Sequence, residues 1–150
     1  WVCAAPPVIQ KLVLIKQASD LNSSTINQIV MATVAERAFD AQVTHIRKAY
    51  RARRDCMLDA LERHMPEGVS WSRPEGGMFV WMELPAGVNC ADLLARSIAE
   101  AKVAFVPGGA FFPDGTGANC MRLNFSAPSE EKIKDGIARL GRLISETLSR

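Results

Sequence analysis

Apolar positions along this chain repeat with two periods, near 3.6 and near 2, and the switches between them mark out helices and strands. A short apolar stretch over 2–5 reads as the end of a buried strand, stopped by Pro6-Pro7. Val8, Leu12 and Ile15 then fall on one side of a helix expected over 8–19, and the polar stretch 19–24 is turn-like. Thr25 and Gln28 make a T-x-x-Q capping box at the head of a helix whose stripe is Ile26, Ile29, Val30 and Val34. A long helix is expected over 36–65. There Phe39, Val43, Ile46, Tyr50, Met57 and Leu61 recur at helical spacing, with Arg53 or Arg54 interrupting the stripe. Pro66-Glu67-Gly68 stops it.

Beyond that stop the period shortens. Residues 69–72 read as a short strand, and Gly76-Gly77 permits a tight turn into a strand over 78–83. Met78, Val80 and Met82 share one face of it, Phe79 and Trp81 the other. A strand apolar on both faces should be interior and covered on both sides, which puts Phe79 and Trp81 in the core. Asn89 can cap a helix over 90–102 with Leu93, Leu94 and Ile98 inside. Strands over 103–106 and 120–125 follow. Pro128 and Ser129 start a last helix, with Glu130 and Glu131 at its positive end and Ile133, Ile137, Leu140, Ile144 and Leu148 on its buried face. Helices on one face of a small, mostly antiparallel sheet make an α+β fold, an α/β two-layer.

Composition narrows the function classes. With 48% apolar residues in 150, one globular domain is the default. A net charge of +2 exerts little pull on nucleic acid or membrane, and the apolar runs are too short to span a bilayer. Arg47, Lys48, Arg51, Arg53 and Arg54 form a basic cluster on the long helix. However, Asp55 lies four residues after Arg51 and Arg63 four after Asp59, the pairing of a solvated helix rather than a nucleic-acid footprint. Cys3, Cys56, Cys90 and Cys120 are scattered with no C-x-x-C pair, which fits reduced thiols in the cytoplasm. With only His45 and His64, a His-rich metal site is not expected. The start, W-V-C-A-A-P-P, lacks an initiator Met and a basic leader region, so a fragment of a longer protein is expected.

Arg122 is the first candidate for chemistry. On a strand over 120–125, Met121, Leu123 and Phe125 share one face, and Arg122 and Asn124 the other. An arginine fixed on a strand can grip a carboxylate bidentately, because its planar fork matches two oxygens. Its ordinary alternative is to pair with a nearby Asp or Glu. Val106-Pro107-Gly108-Gly109 with Phe111 reads as a cleft edge, where glycines admit a ligand to the backbone and the aromatic excludes water. Its alternative is a strand-ending turn with Phe111 in the core.

Three segments carry a family resemblance: R-P-E-G-G-M-F-V-W-M-E-L-P at 73–85, V-A-F-V-P-G-G-A-F-F at 103–112 and M-R-L-N-F-S at 121–126. In order and spacing they resemble the C-terminal part of a class I/II aminotransferase, a fold-type I enzyme using pyridoxal 5′-phosphate. Within it they are most like the 2-aminoadipate/kynurenine aminotransferase group. The resemblance runs over essentially all 150 residues. It implies the small C-terminal domain of that fold over 36–150, entered by a long interdomain helix, with 1–35 as a helical remnant of the large cofactor-binding domain. It implies amino transfer from an α-amino acid (2-aminoadipate-like, aromatic or branched) to a 2-oxo acid such as 2-oxoglutarate, in a cytoplasmic homodimer. Arg122 matches the arginine that holds the substrate α-carboxylate. Asn22, in a turn that in relatives lies near the neighbouring subunit's active site, is carried over as a substrate-binding candidate; its ordinary role is that of a turn or cap residue.

The chain departs from the family in one respect. Neither the S-x-S-K motif of the Schiff-base lysine nor the G-x-R-x-G-W segment after it is present, and Lys11, Lys16, Lys48, Lys102, Lys132 and Lys134 lie in other contexts. The resemblance then implies that the chain begins just after that lysine, with Trp1 as the tail of the second motif. It implies no catalytic and no cofactor-binding residue within the chain, and an inactive fragment. Other functions stay open: the aminotransferase-like effector domain of a winged-helix regulator, a carbon–sulfur lyase on the same fold, or an independent non-catalytic module.

Overall fold

The computed structural model describes residues 2–149; Trp1, matched above to the tail of the G-x-R-x-G-W segment, lies outside them. Two compact units divide the chain, Trp1–His45 and Ile46–Arg150, and the division falls within one helix.

The first unit holds helix α1 (Pro6–Ser19) and the N-terminal part of helix α2 (Thr25–His64). Residues 2–5 form no strand, and Val2 is 65% exposed. A strand needs a neighbour to take its backbone hydrogen bonds, and residues 2–5 pair with no strand among the described residues. Pro6 and Pro7 instead occupy the first two helical positions, where a missing N–H costs nothing, so α1 begins two residues early. The α1–α2 turn is fastened by Lys16, whose Nζ donates to Asp20 at 2.8 Å and to Ser23 Oγ at 3.2 Å. The cap of α2 sits one residue ahead of the expected box. The Asn27 N–H donates to Ser24 Oγ at 3.5 Å, and the Gln28 side chain donates to the Ser23 carbonyl at 2.9 Å. No glycine or proline separates the two predicted helices at 35–36, and they merge into one helix of 40 residues. Its buried residues, Cys56, Met57, Ala60 and Leu61, all lie in its C-terminal part.

The second unit is built on a four-stranded sheet of β1 (Ser70–Trp71), β2 (Phe79–Glu83), β3 (Val106–Pro107) and β4 (Cys120–Asn124). The order is β1-β2-β4-β3, and every pairing is antiparallel. Helix α3 (Cys90–Arg96) is capped by Asn89 Oδ1, which accepts the Ala91 N–H at 2.8 Å. It runs on as a π turn over Ser97–Ala101. Helix α4 (Glu130–Leu148) is capped by Ser129 Oγ and carries Glu130 and Glu131 in its first turn, as expected. Val80, Met82, Met121 and Leu123 of the sheet form one core with Met57 and Leu61 of α2 and Ile137, Leu140 and Ile144 of α4. Ile98, expected inside, is 51% exposed. The wider π turn shifts the register, so Ser97 and Ala101 take the buried positions, and Ser97 Oγ donates to the Val103 carbonyl at 2.7 Å. Of the strand expected over 103–106, only Val106 pairs with β4, joined by Pro107.

Candidate functional site around Arg122

The pleat of the sheet sorts its residues by face. Val80 and Met82 on β2 and Met121 and Leu123 on β4 are buried, while Phe79, Trp81 and Arg122 between them are half-buried. Trp81 and Arg122 are direct cross-strand partners, and Val106 lies opposite Arg122 on its other side. Phe79 and Trp81 therefore do not sit in the core. Strand β2 is interior within the sheet, as expected, but within the second unit only its Val80 and Met82 face joins the core with the helices. An all-apolar strand discloses that both faces avoid water, not which residues cover each.

Rings surround the guanidinium. Arg122 Cζ lies 4.0 Å from the Phe79 ring centroid and 4.9 Å from that of Phe111. Trp81 meets Phe111 edge-on, centroids 5.5 Å apart at 86°, and Phe112 at 6.0 Å and 43°. Arg122 Nε is buried and has no hydrogen-bond partner, and no carboxylate pairs with the side chain, among the described residues. The ordinary role of a strand arginine, pairing with a neighbouring Asp or Glu, is not what this side chain does.

Phe111 ends a 3₁₀ turn, Gly108–Phe111, and is 48% exposed, so it is a wall residue and not a core one. Gly108 makes that placement possible: a Cβ there would come within 2.5 Å of Cys120 Cβ and 2.9 Å of the Cys120 carbonyl. Arg122 and Phe111, both chosen from sequence, are thus brought together. Asn22 belongs to the first unit, in the α1–α2 turn, where its N–H donates to the Asp20 carbonyl at 2.6 Å. Asn124 follows Arg122 on β4, but its Oδ1 accepts from the Ser126 N–H at 2.6 Å and Ser126 Oγ at 2.8 Å. Sequence reasoning missed Phe79, Trp81 and Phe112 as parts of the cluster. The available signal was the β2–β4 register, which a strand-by-strand reading does not contain.

The basic cluster on α2 takes a different form from the one its spacing suggests. Arg54 pairs with adjacent Asp55 at 2.6 Å and donates to the Pro74 carbonyl at 3.2 Å, and Arg53 donates to the Ser126 carbonyl. Glu62 pairs with Arg73 at 2.6 Å. Neither Arg51–Asp55 nor Asp59–Arg63 forms among the described residues; Asp55 is taken by Arg54 instead. Arg47, Arg51 and Arg54 line a cleft of about 580 Å³ with Glu75, Gly76 and Gly77.

All four cysteines are free, and burial, with Cys120 nearby, pushes the Cys90 thiol up to about 12. No group of three or more His, Cys, Asp or Glu gathers as a metal site among the described residues. No helix among them is long and apolar enough to cross a membrane. Within the second unit, Lys102 donates to the Ala99 carbonyl, and Lys132 and Lys134 sit on α4.

Comparison with known proteins places this geometry in context. The family model described as aminotransferase class I and II matches residues 1–140. An aromatic-amino-acid aminotransferase of Thermococcus litoralis is 44% identical over 151 residues, covering 100% of this chain and 36% of the relative. The crystal structure of the α-aminoadipate aminotransferase of Thermus thermophilus, complexed with N-(5′-phosphopyridoxyl)-L-leucine, aligns with a TM-score of 0.87 at 42% identity. It covers 97% of this chain and 37% of that one. An uncharacterised HTH-type transcriptional regulator of Bacillus subtilis is 31% identical over all of this chain and 31% of its own length. The chain thus spans about a third of the length of the relatives it matches.

Proposed function

The chain belongs to the aminotransferase class I and II family, and from that membership we propose that the intact protein moves an amino group from an α-amino acid to a 2-oxo acid such as 2-oxoglutarate. The donor is 2-aminoadipate-like, aromatic or branched; the relatives named above act on substrates of the first two kinds. Pyridoxal 5′-phosphate is the cofactor of this reading. When bound, it supplies the electron sink that lets a proton leave the substrate Cα. Among the described residues, Arg122 offers a guanidinium whose Nε lacks an acceptor, which fits the substrate carboxylate.

Arg122 acts by geometry. Two parallel N–H···O bonds hold the α-carboxylate, and that grip fixes the direction of the Cα–H bond. Phe79 and Phe111 keep the guanidinium in place and exclude water from its faces. The carrying observation is the buried Nε with no partner. Asn22 is retained as a secondary substrate contact, made to the neighbouring subunit's active site. Residues 1–35 are assigned to the large cofactor domain and 36–150 to the small one. A homodimer belongs to the same reading, supported by the exposed apolar side chains of α1, as does a reducing compartment such as the cytoplasm, supported by the free thiols.

The test is Arg122→Lys in the intact protein. A point charge cannot reproduce the fork, so kcat/KM for an α-amino acid should fall about a hundredfold or more. Near-normal turnover would sink the assignment. The second reading, an effector region of a transcriptional regulator, is favoured by the match to such a protein. It predicts a cofactor whose absorption does not shift to that of the aminated form when 2-aminoadipate is added.

A further inference from the structure

We infer that Trp81 is a positioning residue of the Arg122 site: it holds Phe111 against the guanidinium and thereby sets the orientation in which Arg122 receives a carboxylate. The inference rests on the reading of Arg122 as the α-carboxylate site.

Three contacts close a triangle on the sheet face opposite the core residues Val80 and Met121. Trp81 and Arg122 face each other across β2 and β4. Arg122 Cζ is 4.9 Å from the Phe111 ring, and that ring is 5.5 Å from Trp81. The three members are not equally anchored. Trp81 lies on a strand paired on both sides; its N–H donates to Ser72 Oγ at 2.9 Å and its carbonyl accepts the Ser72 N–H at 2.8 Å. Trp81 also meets Phe112, against whose ring Gly117 packs so closely that a Cβ there would overlap it. Phe111 has no comparable support. It ends a short 3₁₀ turn, is half-exposed, and its ring meets Trp81 and Arg122 alone among the described rings and cations.

The edge-on contact gives Trp81 its leverage. An interplanar angle of 86° puts the positive edge of one ring against the face of the other, an arrangement with a preferred orientation that an aliphatic contact lacks. Fixing Phe111 fixes one of the two ring faces on the guanidinium; Phe79, 4.0 Å away on β2, supplies the other. An arginine already held in one rotamer loses less freedom when it binds, so affinity rises without a new contact. Trp81 acts through Phe111 and needs no contact with the ligand.

The experiment uses the intact protein and 3-phenylpropionate, a carboxylate with no amino group to transfer. Its dissociation constant is measured calorimetrically for the wild type and for Arg122→Ala, Trp81→Met, Phe111→Leu, Trp81→Phe and the Trp81→Met/Phe111→Leu double variant. Trp81→Met and Phe111→Leu should each weaken binding about tenfold, and the double variant no further than either. Trp81→Phe, which keeps an aromatic edge, should bind within about threefold of wild type. Wild-type affinity in Trp81→Met, or a double loss equal to the product of the singles, overturns the inference. If Arg122→Ala loses the probe while Trp81→Met keeps it, only the inference fails. If Arg122→Ala keeps it, the carboxylate reading fails and the inference with it. Should Trp81→Met not fold, Phe111→Leu at its half-exposed position carries the test. The Arg122 Nε–H order parameter should drop from a rigid value of about 0.85 to below about 0.6, and no drop overturns the inference.

Discussion

Arg122 is held by terms of opposite sign. Burying an N–H without an acceptor costs about 1–3 kcal/mol. The ring faces at 4.0 and 4.9 Å offset about 0.5–2 kcal/mol of that, but neither accepts an in-plane hydrogen bond. In the proposed reading the substrate carboxylate is that missing acceptor. Gly108 shows how finely the wall is set, because a Cβ there meets the Cys120 side chain and backbone together, and backbone cannot swing aside. Gly108→Ala should destabilise the second unit by about 1–3 kcal/mol, read from the denaturant midpoint. Gly109→Ala, with nothing within 4 Å of the added carbon, should stay within about 0.5 kcal/mol. Equal effects at the two positions would refute the packing argument. At this scale the sequence disclosed Arg122, because a charge inside an apolar strand is visible as such, and Phe111, because it follows a Pro-Gly-Gly stop. It did not disclose that Phe79 and Trp81 lie beside them. Residue type says that a side chain avoids water; only the pairing of β2 with β4, about forty residues apart, says what it meets instead.

Elements were legible where a local signal fixed them and misread where a neighbour decided. Asn89 and Ser129 cap α3 and α4 as their sequences indicate, since capping is settled within four residues. The π turn was invisible, because one extra residue in a turn leaves composition unchanged and moves Ile98 outward. Helix α4 offers a sharper test of element-level reasoning, for its two glycines look alike in sequence. A Cβ at Gly141 would overlap the carbonyl of His64 at the end of α2, whereas one at Gly136 would meet Val103 Cγ2 at 3.8 Å, an ordinary contact. Gly141→Ala should therefore cost about 1–3 kcal/mol by forcing α4 away from α2. Gly136→Ala should gain about 0.5–1 kcal/mol, since alanine restricts the unfolded chain and favours the helix. Thermal unfolding of the two variants should move in opposite directions, and a shift of the same sign in both would contradict the close approach of the helices.

The two units differ in how their apolar residues are used. Every buried apolar residue among those described lies between Cys56 and Ile144, in the second unit. In the first unit Val8, Leu14, Ile15, Ile26 and Ile29 remain exposed, although the spacing of such residues is what predicted the helices. Helical periodicity reports that a face will be covered and is silent on whether the cover lies within the same segment. An apolar surface of that extent, left in water, favours association. Cutting the chain before Ile46 should therefore remove a surface for association and no part of the core. Residues 46–150 alone should unfold cooperatively, within about 4 °C of the whole chain, because the burial that sets the midpoint is retained. They should also sediment as a smaller, less associated species at equal concentration. A midpoint lower by more than about 10 °C would mean that residues 2–45 contribute to the same cooperative unit. The exposed stripe would then be stabilising this chain rather than waiting on a surface elsewhere.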